Sequence, residues 1–166
     1  MTAIVSTQHT PIGPFTTVLA ADGAVLAAGW TADLGELLPQ IHPSLRPAST
    51  RLLADAGAVT DAVDRYHAGE LGAIDPIPVR QHSGEFLRHA WDVLRAVPAG
   101  APITYTEYAA KSGRPEAVRA AASACARNAA ALFVPCHRVL RLDGSLGGFR
   151  WGLPVKRWLL DHEQSS

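Results

Sequence analysis

Residues 129–138 read Ala-Ala-Ala-Leu-Phe-Val-Pro-Cys-His-Arg, and they join an uninterrupted apolar run to a thiol and an imidazole. A short apolar run that ends at a proline predicts a buried strand over residues 129–134, followed by a turn. The thiolate is the reactive form of cysteine, and burial raises a thiol pKa, so a reactive Cys136 needs a base and a proton path. The stretch alone leaves two interpretations open, an activated nucleophile and an inert packed cysteine.

The segments around this stretch predict a mostly helical second half. Helices are expected at Glu85–Ala96, Tyr105–Lys111, Pro115 to about Ala126, and Leu153–Glu163. Thr104 and Glu107 have the spacing of a capping box, and Gly113 ends the short helix that this box begins. Two short helices joined by a tight glycine turn form a helix-turn-helix pattern. Residues 141–146 predict a hairpin tip or wing.

The first half predicts a small α/β unit. Two short apolar runs flank Asp22-Gly23, which is a strong hairpin signal. Apolar residues near helical spacing predict a helix over 51–67. A segment rich in proline and polar residues follows, so we expect a structural domain at residues 1–80 and a second domain at residues 84–166.

Composition and charge narrow the class of protein. The chain has 166 residues, 48% of them hydrophobic, and its 15 basic and 15 acidic residues cancel. Up to Ser83 there are four arginines against eight acids, whereas from Gly84 onward there are eleven basic residues against seven acids. This asymmetry indicates an anionic partner for the second half, with nucleic acid the natural candidate. We find no membrane-spanning run, no signal-like segment and only two cysteines, and we expect a cytoplasmic protein.

The second helix of the pair carries almost nothing larger than alanine apart from arginines. Small residues such as Ala120 and Ser123 let a backbone approach a groove wall, and Arg119 can then reach between bases. The alternative is a tightly packed alanine helix with solvated arginines. These residues alone do not decide between the two.

Six segments taken together resemble the O6-alkylguanine-DNA alkyltransferases, the methylated-DNA–protein-cysteine methyltransferases. They are Thr10–Gly13, Thr104-Tyr105, Ala117–Ala120, Asn128, Pro135–Val139 and Leu159–Glu163. The resemblance covers nearly the whole chain. It implies an α/β protein with a small ribonuclease-H-like N-terminal domain and a mostly helical, winged-helix-like C-terminal domain that carries the helix-turn-helix.

The resemblance also implies the chemistry of the site. Cys136 is expected to accept the alkyl group from guanine O6, and His137 to take the thiol proton through a water. Glu163 would orient and polarise His137. Tyr105 would donate to N3 of the departing base, and Asn128 would brace the turn before the cysteine. The protein would be consumed in one irreversible event, without cofactor or metal.

The expected partner is double-stranded DNA that contains O6-alkylguanine. The resemblance implies that the helix enters the minor groove, that the damaged base is flipped out and that Arg119 fills its place. Arg114 and Arg127 would add phosphate contacts, beside Ala120 and Ser123 on the same helix. We expect a monomer with no membrane contact.

The loop after the cysteine departs from the family pattern. Backbone groups at Cys136 and Val139 would read the exocyclic amine, and the amide of Arg150 would face O6. Phe149 stands where the family usually has tyrosine, so any hydroxyl contact is lost. Trp151 stands where some relatives have glycine, and its ring would narrow the pocket, which predicts poorer acceptance of large adducts such as benzyl.

Three other classes of protein share parts of this sequence pattern. A non-catalytic protein that binds alkylated DNA would share the flipping helix, but such proteins lack the acceptor cysteine that is present here as Cys136. A cysteine hydrolase would need direct pairing between Cys136 and His137, which is awkward for neighbours in the chain. A winged-helix transcription factor would leave Cys136 merely buried.

Overall fold

The computed structural model describes residues 1–164, which form two compact units of a mixed α/β protein. One unit consists of Met1–His82 with Ala129–Phe133, and the other consists of residues 83–128 with residues 134–164. Within residues 1–164, each helix is too short or too polar to cross a membrane.

The first unit is built on a four-stranded sheet. Its strands are β1 (Thr2–Thr10), β2 (Gly13–Leu19), β3 (Val25–Gly29) and β4 (Ser49–Leu52), in the order β3-β2-β1-β4. β1 pairs with β2 and β2 with β3 in antiparallel fashion, whereas β4 is parallel to β1. The hairpin predicted around Asp22-Gly23 is confirmed. Gly23 has a φ of +91°, and the Asp22 carboxylate accepts a hydrogen bond from the Ala24 amide at 3.2 Å.

One α-helix, α1 (Ala58–His67), and three short 3-10 helices, Leu34–Glu36, Leu38–Gln40 and Leu71–Ile74, complete this unit. The α-helix begins later than the sequence predicts. Arg51 and Leu52 belong to β4, and Gly57, with a φ of +69°, turns the chain before the helix begins. The buried face of α1 includes Val59, Val63 and Tyr66. The predicted start at residue 51 was wrong because the apolar spacing of residues 51–56 belongs to a strand and a turn.

The apolar run before the cysteine is buried, but the predicted strand is wrong. All six residues of 129–134 are buried, yet only Ala130 bridges to β3, opposite Ala28. The Ala28 amide donates to Ala129 at 2.8 Å and the Ala131 amide donates back to Ala28 at 3.2 Å. Leu132 then takes a φ of +74°, which ends any extended conformation.

The second unit contains four helices and a two-stranded parallel sheet. The helices are α2 (Glu85–Arg95), α3 (Tyr105–Lys111), α4 (Val118–Ala126) and α5 (Leu153–Gln164), and the strands are β5 (Ile103–Thr104) and β6 (Val139–Leu140). The capping box of α3 is confirmed in both directions, with the Thr104 and Glu107 bonds at 3.0 and 3.1 Å. The helix predicted from Pro115 begins only at Val118, because Pro115 and Glu116 form a turn.

Small residues let α2, α3 and α4 pack closely. Ala121 and Ala124 on α4 are fully buried, and the Trp91 indole of α2 donates to the Ala124 carbonyl at 2.8 Å. The Tyr108 hydroxyl of α3 donates to the Ala90 carbonyl at 2.7 Å. These bonds satisfy the polar ends of two buried aromatic side chains and fix the three helices against one another.

Candidate active site

Cys136 lies at the start of a short 3-10 turn, Cys136–Arg138, directly after the buried Val134 and Pro135. The Cys136 amide donates to the Val134 carbonyl at 2.8 Å, and β6 follows the turn. Its residues on either side are buried, whereas Cys136 itself is partly exposed. Cys136 is therefore a partly exposed residue between buried, hydrogen-bonded neighbours.

Opposing effects act on the pKa of the Cys136 thiol. Burial raises it, while a hydrogen bond from the Asn128 side chain and the positive charge of Lys156 lower it, with burial prevailing. The Asn128 amide also donates to the Val134 carbonyl at 2.7 Å. The thiol is therefore protonated at neutral pH, and Asn128 holds both the thiol and the backbone two residues before it.

A buried base lies next to this cysteine in the chain. His137 is fully buried, and its Nε2 lies 2.8 Å from Oε2 of Glu163, which is itself buried. Burial lowers the pKa of His137 and outweighs the opposite effect of the carboxylate, so the imidazole is neutral. Because Nε2 donates to Glu163, Nδ1 carries the free lone pair, and it has no hydrogen-bond partner within residues 1–164.

Arg138 completes the pair into a buried triad. Its Nε and Nη2 donate to the two oxygens of Glu163, each at 3.0 Å, and its Nη1 donates to the Val97 carbonyl at 2.8 Å. Burial alone would raise the pKa of Glu163, but the hydrogen bonds of His137 and Arg138 lower it to about 2. Glu163 is therefore a permanent anion at neutral pH, and it fixes the tautomer of His137.

Lys156 is a buried cation behind the loop that follows the cysteine. It is fully buried on α5, and its ammonium donates to the carbonyls of Val139 at 2.9 Å, of Leu146 and of Gly148 at 3.4 Å. Burial lowers its pKa. One side chain thus holds both ends of the loop and lowers the cost of a charge on Cys136.

Tyr105 is the first residue of α3, beside this loop. Burial is the main cause that raises the pKa of its hydroxyl to about 12, and Cys125 and Cys136 contribute to the rise once their thiols ionise. A Cβ on Gly147 would lie 3.3 Å from the Tyr105 oxygen, and Gly147 has a φ of +72°. The phenol therefore stays protonated at neutral pH and remains a donor close to the loop backbone.

The arginines predicted to meet DNA are all exposed. Arg119 is in the first turn of α4, Arg127 caps its end, and Arg114 precedes it in the turn. The Arg114 guanidinium lies 5.1 Å from the centroid of the Phe86 ring, a cation–π distance. Ala120 and Ser123 are half-buried on the same helix.

A cleft of about 430 Å³ joins the helix-turn-helix to the loop after the cysteine. It is lined by Tyr105, Thr106, Val118, Arg119, Ala122, Arg141, Leu142, Gly147 and Gly148. The structure thus brings Tyr105 and Arg119 together. The four predicted pocket residues lie outside this lining: Val139 is fully buried, Phe149 and Trp151 are half-buried, and Arg150 is exposed and donates to the Ala126 carbonyl at 2.6 Å.

Sequence reasoning missed two residues of this site, Arg138 and Lys156. The signal for Lys156 was its place in an i, i+3, i+4, i+7 stripe with Leu159, Leu160 and Glu163, which marks a charged residue on a buried helix face. Arg138 stood in the quoted motif without a role. The described residues contain no group of three or more His, Cys, Asp or Glu side chains placed to hold a metal ion.

Known proteins resemble this chain along nearly its whole length. Residues 85–165 match the model of the 6-O-methylguanine DNA methyltransferase DNA-binding domain. A methylated-DNA–protein-cysteine methyltransferase of Salmonella typhimurium is 35% identical over 156 residues, which cover 93% of this chain and 91% of the relative. Its counterpart in Mycobacterium tuberculosis is 36% identical over 162 residues, covering 96% and 91%.

Solved structures agree. The O6-methylguanine methyltransferase of Mycobacterium tuberculosis matches with a TM-score of 0.78 at 30% identity, over 98% of this chain and 93% of that one. The OGT protein of the same organism, solved in complex with DNA, matches with a TM-score of 0.81 at 26% identity over the same shares.

Fold and site together define a mixed α/β protein that presents a partly exposed cysteine beside a buried His–Glu–Arg triad. With relatives this similar over nine-tenths of both chains, the protein belongs to the methylated-DNA–protein-cysteine methyltransferase family.

Proposed function

We propose that this protein repairs DNA by direct damage reversal, moving the alkyl group of O6-alkylguanine onto Cys136. The observation that carries the proposal is the triad next to the acceptor: a partly exposed thiol adjoins a histidine held neutral by burial and oriented by an ionised glutamate. This arrangement supplies a base without a preformed thiolate.

The bonds and charges of the transfer balance. Sγ of Cys136 attacks the alkyl carbon, the S–C bond forms, and the bond between that carbon and O6 breaks with its electron pair on the guanine. The thiol proton leaves to His137, and the guanine anion regains a proton from Tyr105 or water. The thioether formed has no route to hydrolysis, so each molecule acts once.

Nδ1 of His137 is the base in this proposal. Nε2 is committed to Glu163, and Nδ1 is buried with its lone pair unused by residues 1–164. Adjacent residues in a 3-10 turn do not pair their side chains directly, so one water between Sγ and Nδ1 would carry the proton. Glu163, with its pKa of about 2, stabilises the imidazolium that forms.

Tyr105 would stabilise the departing base. Its pKa of about 12 keeps the hydroxyl protonated, and the residue lines the cleft that also holds Arg119. A donor aimed at N3 of guanine offsets the negative charge that develops as the O6–carbon bond breaks. Asn128 would keep the thiol in line by holding the Val134 carbonyl.

The helix-turn-helix formed by α3 and α4 would bind the DNA. We propose that α4, with its small surface residues Ala120 and Ser123, enters the minor groove, and that Arg119 occupies the space of the flipped base. Exposed Arg114 and Arg127 would add phosphate contacts. A single molecule in the cytoplasm would bind one lesion in duplex DNA.

The finer features of the fold belong to the same proposal. We assign residues 1–80 to a ribonuclease-H-like structural domain, supported by the sheet order β3-β2-β1-β4 with β4 parallel to β1. Residues 84–166, apart from residues 129–133 of the first unit, would form the winged-helix-like domain that binds DNA and accepts the alkyl group. The turn at 141–146 would be its wing, although Leu140 is the last strand residue before it. Val139, Phe149, Arg150 and Trp151 would surround the flipped base.

Titration of a lesion-bearing duplex with the protein tests the proposal. The protein is added in rising amounts to duplex DNA with one O6-methylguanine, and restored guanine is measured by nuclease digestion and chromatography. We expect guanine to rise one-for-one with protein and then stop, with no product from Cys136→Ser. Repeated turnover, or tight binding with no restored guanine, would overturn it.

A further inference from the structure

The side chain of Gln81, which has no part in the proposed chemistry, is bonded to the segment that leads from α4 to the cysteine. Its Oε1 accepts a hydrogen bond from the Ala129 amide at 2.9 Å. Ala129 is only 2% exposed, so its amide needs an acceptor within the protein. Leaving a buried amide without an acceptor is costly, and Gln81 supplies the acceptor from a side chain that a single substitution can remove.

Strand β3 holds the backbone on both sides of this bond. Residues 78–80 pair with Val25 of β3 through two hydrogen bonds of 2.8 and 2.9 Å, and Gln81 follows them directly. Further along the same strand, the Ala28 amide donates to the Ala129 carbonyl at 2.8 Å. All of these residues belong to the first unit. Gln81 and Ala129 are therefore both fixed to β3, and the bond between them adds a side-chain anchor to a backbone one.

The residue before Ala129 is the one that holds the cysteine. The Asn128 side chain donates to the Val134 carbonyl at 2.7 Å and to the thiol of Cys136. Its backbone amide donates to the Cys125 carbonyl at 3.3 Å, at the end of α4. Asn128 and Ala129 share a peptide bond, so a shift of Ala129 moves the side chain that holds the thiol.

The segment between these anchors depends on its contacts for its conformation. Each residue of 129–133 is at most 2% exposed. Leu132 has a φ of +74°, which an L-residue with a large side chain rarely adopts. A backbone held in such a conformation persists only while the surrounding contacts impose it. Removal of one anchor therefore allows the segment, and Asn128 with it, to relax.

Resting on the proposed function, we propose that Gln81 is a positioning residue for the acceptor cysteine. It holds the Ala129 amide, and this keeps the Asn128 side chain within hydrogen-bond distance of Cys136. Gln81 acts through these two residues rather than on the alkyl group. Without it, the sulfur would lose the donor that stabilises its negative charge before attack.

Gln8 offers a control for the general effect of losing a glutamine from the first unit. It lies on β1 and is half-buried, as Gln81 is. Its Nε2 donates to the Thr60 carbonyl at 3.0 Å and to the Asp64 carboxylate at 2.8 Å. Gln8→Met therefore removes two hydrogen bonds from the same unit, whereas Gln81→Met removes the bond to Ala129. A purely structural role for Gln81 predicts that both variants lose stability and keep the reactivity of the thiol.

The experiment measures the reaction of Cys136 with iodoacetamide against pH, read from the mass of the Cys136 peptide, in wild type and both variants. The hydrogen bond from Asn128 lowers the pKa of this thiol, so its loss raises the pKa. We expect Gln81→Met to move the midpoint of the profile to higher pH and to slow alkylation at neutral pH several-fold. Lys156 and Arg150, whose charges also lower this pKa, are unchanged in both variants. Gln8→Met should keep the wild-type midpoint.

Gln81→Glu tests whether the acceptor oxygen is what matters. It keeps an oxygen acceptor for the Ala129 amide, so we expect it to restore most of the rate that Gln81→Met loses, both with iodoacetamide and with free O6-methylguanine. A midpoint in Gln81→Met equal to that of Gln8→Met would overturn the proposal, and so would a Gln81→Glu variant as slow as Gln81→Met. A wild-type protein that reacts with iodoacetamide but gains no methyl from O6-methylguanine would contradict the proposed function alone, because the iodoacetamide profile involves no DNA.

Discussion

At the residue scale, the site depends on how Glu163 keeps its charge in a buried position. Burying a carboxylate is costly unless it is paired and hydrogen-bonded, and here His137 and Arg138 supply three bonds between 2.8 and 3.0 Å. The resemblance supplied Glu163 and His137 from the sequence. Arg138 belongs to the same motif, but the resemblance gave it no role, and only the structure shows that it pairs with Glu163.

Glu163→Gln should remove the acid dependence of stability that this carboxylate causes. The folded pKa of about 2 lies below the ordinary 4.5, so the stabilisation is complete above pH 4.5 and disappears as the pH falls through about 2. The shift corresponds to about 3 kcal/mol of unfolding free energy. The difference in unfolding free energy between wild type and variant, measured by urea unfolding, should be larger by about this amount at neutral pH than near pH 2. A difference that does not change with pH would contradict this account of Glu163.

Trp151→Gly should widen the range of accepted adducts. The half-buried indole stands in the loop expected to surround the flipped base, and glycine at this position would free space for a larger group. We expect the ratio of benzyl to methyl transfer rates from duplex DNA to rise about tenfold, in line with the cost of steric overpacking. The methyl rate of the same variant serves as its control. An unchanged ratio would show that Trp151 does not limit the pocket.

At the scale of elements, the loop after the cysteine is held by α5, the helix that follows it in the sequence. Lys156 of α5 donates to three carbonyls between Val139 and Gly148. Lysine side chains are rarely buried unless they are paired, and Lys156 is paired with the carbonyls of this loop. We therefore infer that it stabilises the loop. The helical periodicity of the sequence identifies the buried face of α5, but it does not identify the carbonyls that Lys156 contacts.

Lys156→Met should loosen this loop while keeping the side-chain volume. Three carbonyls would lose a donor, and we expect the unfolding free energy to fall by about 1–3 kcal/mol. Amide hydrogen exchange within residues 139–148 should become faster. Arg157→Met, on the exposed side of the same helix, should change neither quantity. Exchange at wild-type rates in the Lys156 variant would show that the ammonium does not hold the loop.

Arg119→Ala tests the helix-turn-helix as the element that opens the duplex. If the guanidinium fills the space of the flipped base, its loss exposes the full cost of unstacking, a few kcal/mol. We expect transfer from duplex DNA to slow by about a hundredfold and transfer from free O6-methylguanine to stay unchanged. Arg127→Ala should weaken binding in a salt-dependent way but leave the rate at saturating DNA intact. Equal slowing of both reactions in Arg119→Ala would rule out a flipping role.

At the scale of the whole molecule, local signals predicted the elements and failed where distant parts of the chain decide the structure. The Asp22-Gly23 hairpin and the Thr104–Glu107 capping box were recovered because their signals lie within a few residues. The strand predicted at 129–134 was wrong because Leu132 takes a positive φ that leucine rarely adopts. Such a conformation is imposed by tertiary packing, here including the pairing with Ala28, and no local pattern announces it.

The candidate site divides in the same way. Short sequence motifs predicted five residues of the site: Cys136, His137, Glu163, Tyr105 and Arg119. In the structure, His137 is hydrogen-bonded to Glu163, and Tyr105 lines the same cleft as Arg119. Arg138 and Lys156 act through backbone carbonyls and a carboxylate far along the chain. Long-range hydrogen bonds of this kind become visible only once the fold is known.

The position of the transferred methyl group tests the central claim most directly. The protein is mixed with excess duplex carrying O6-methylguanine, digested, and its peptides are weighed. We predict one methyl group on the peptide that contains Cys136 and none on Cys125, whose thiol pKa burial raises well above its ordinary value. Cys136→Ser should carry none. A methyl group on Cys125, on any other residue, or on no residue at all would contradict the account.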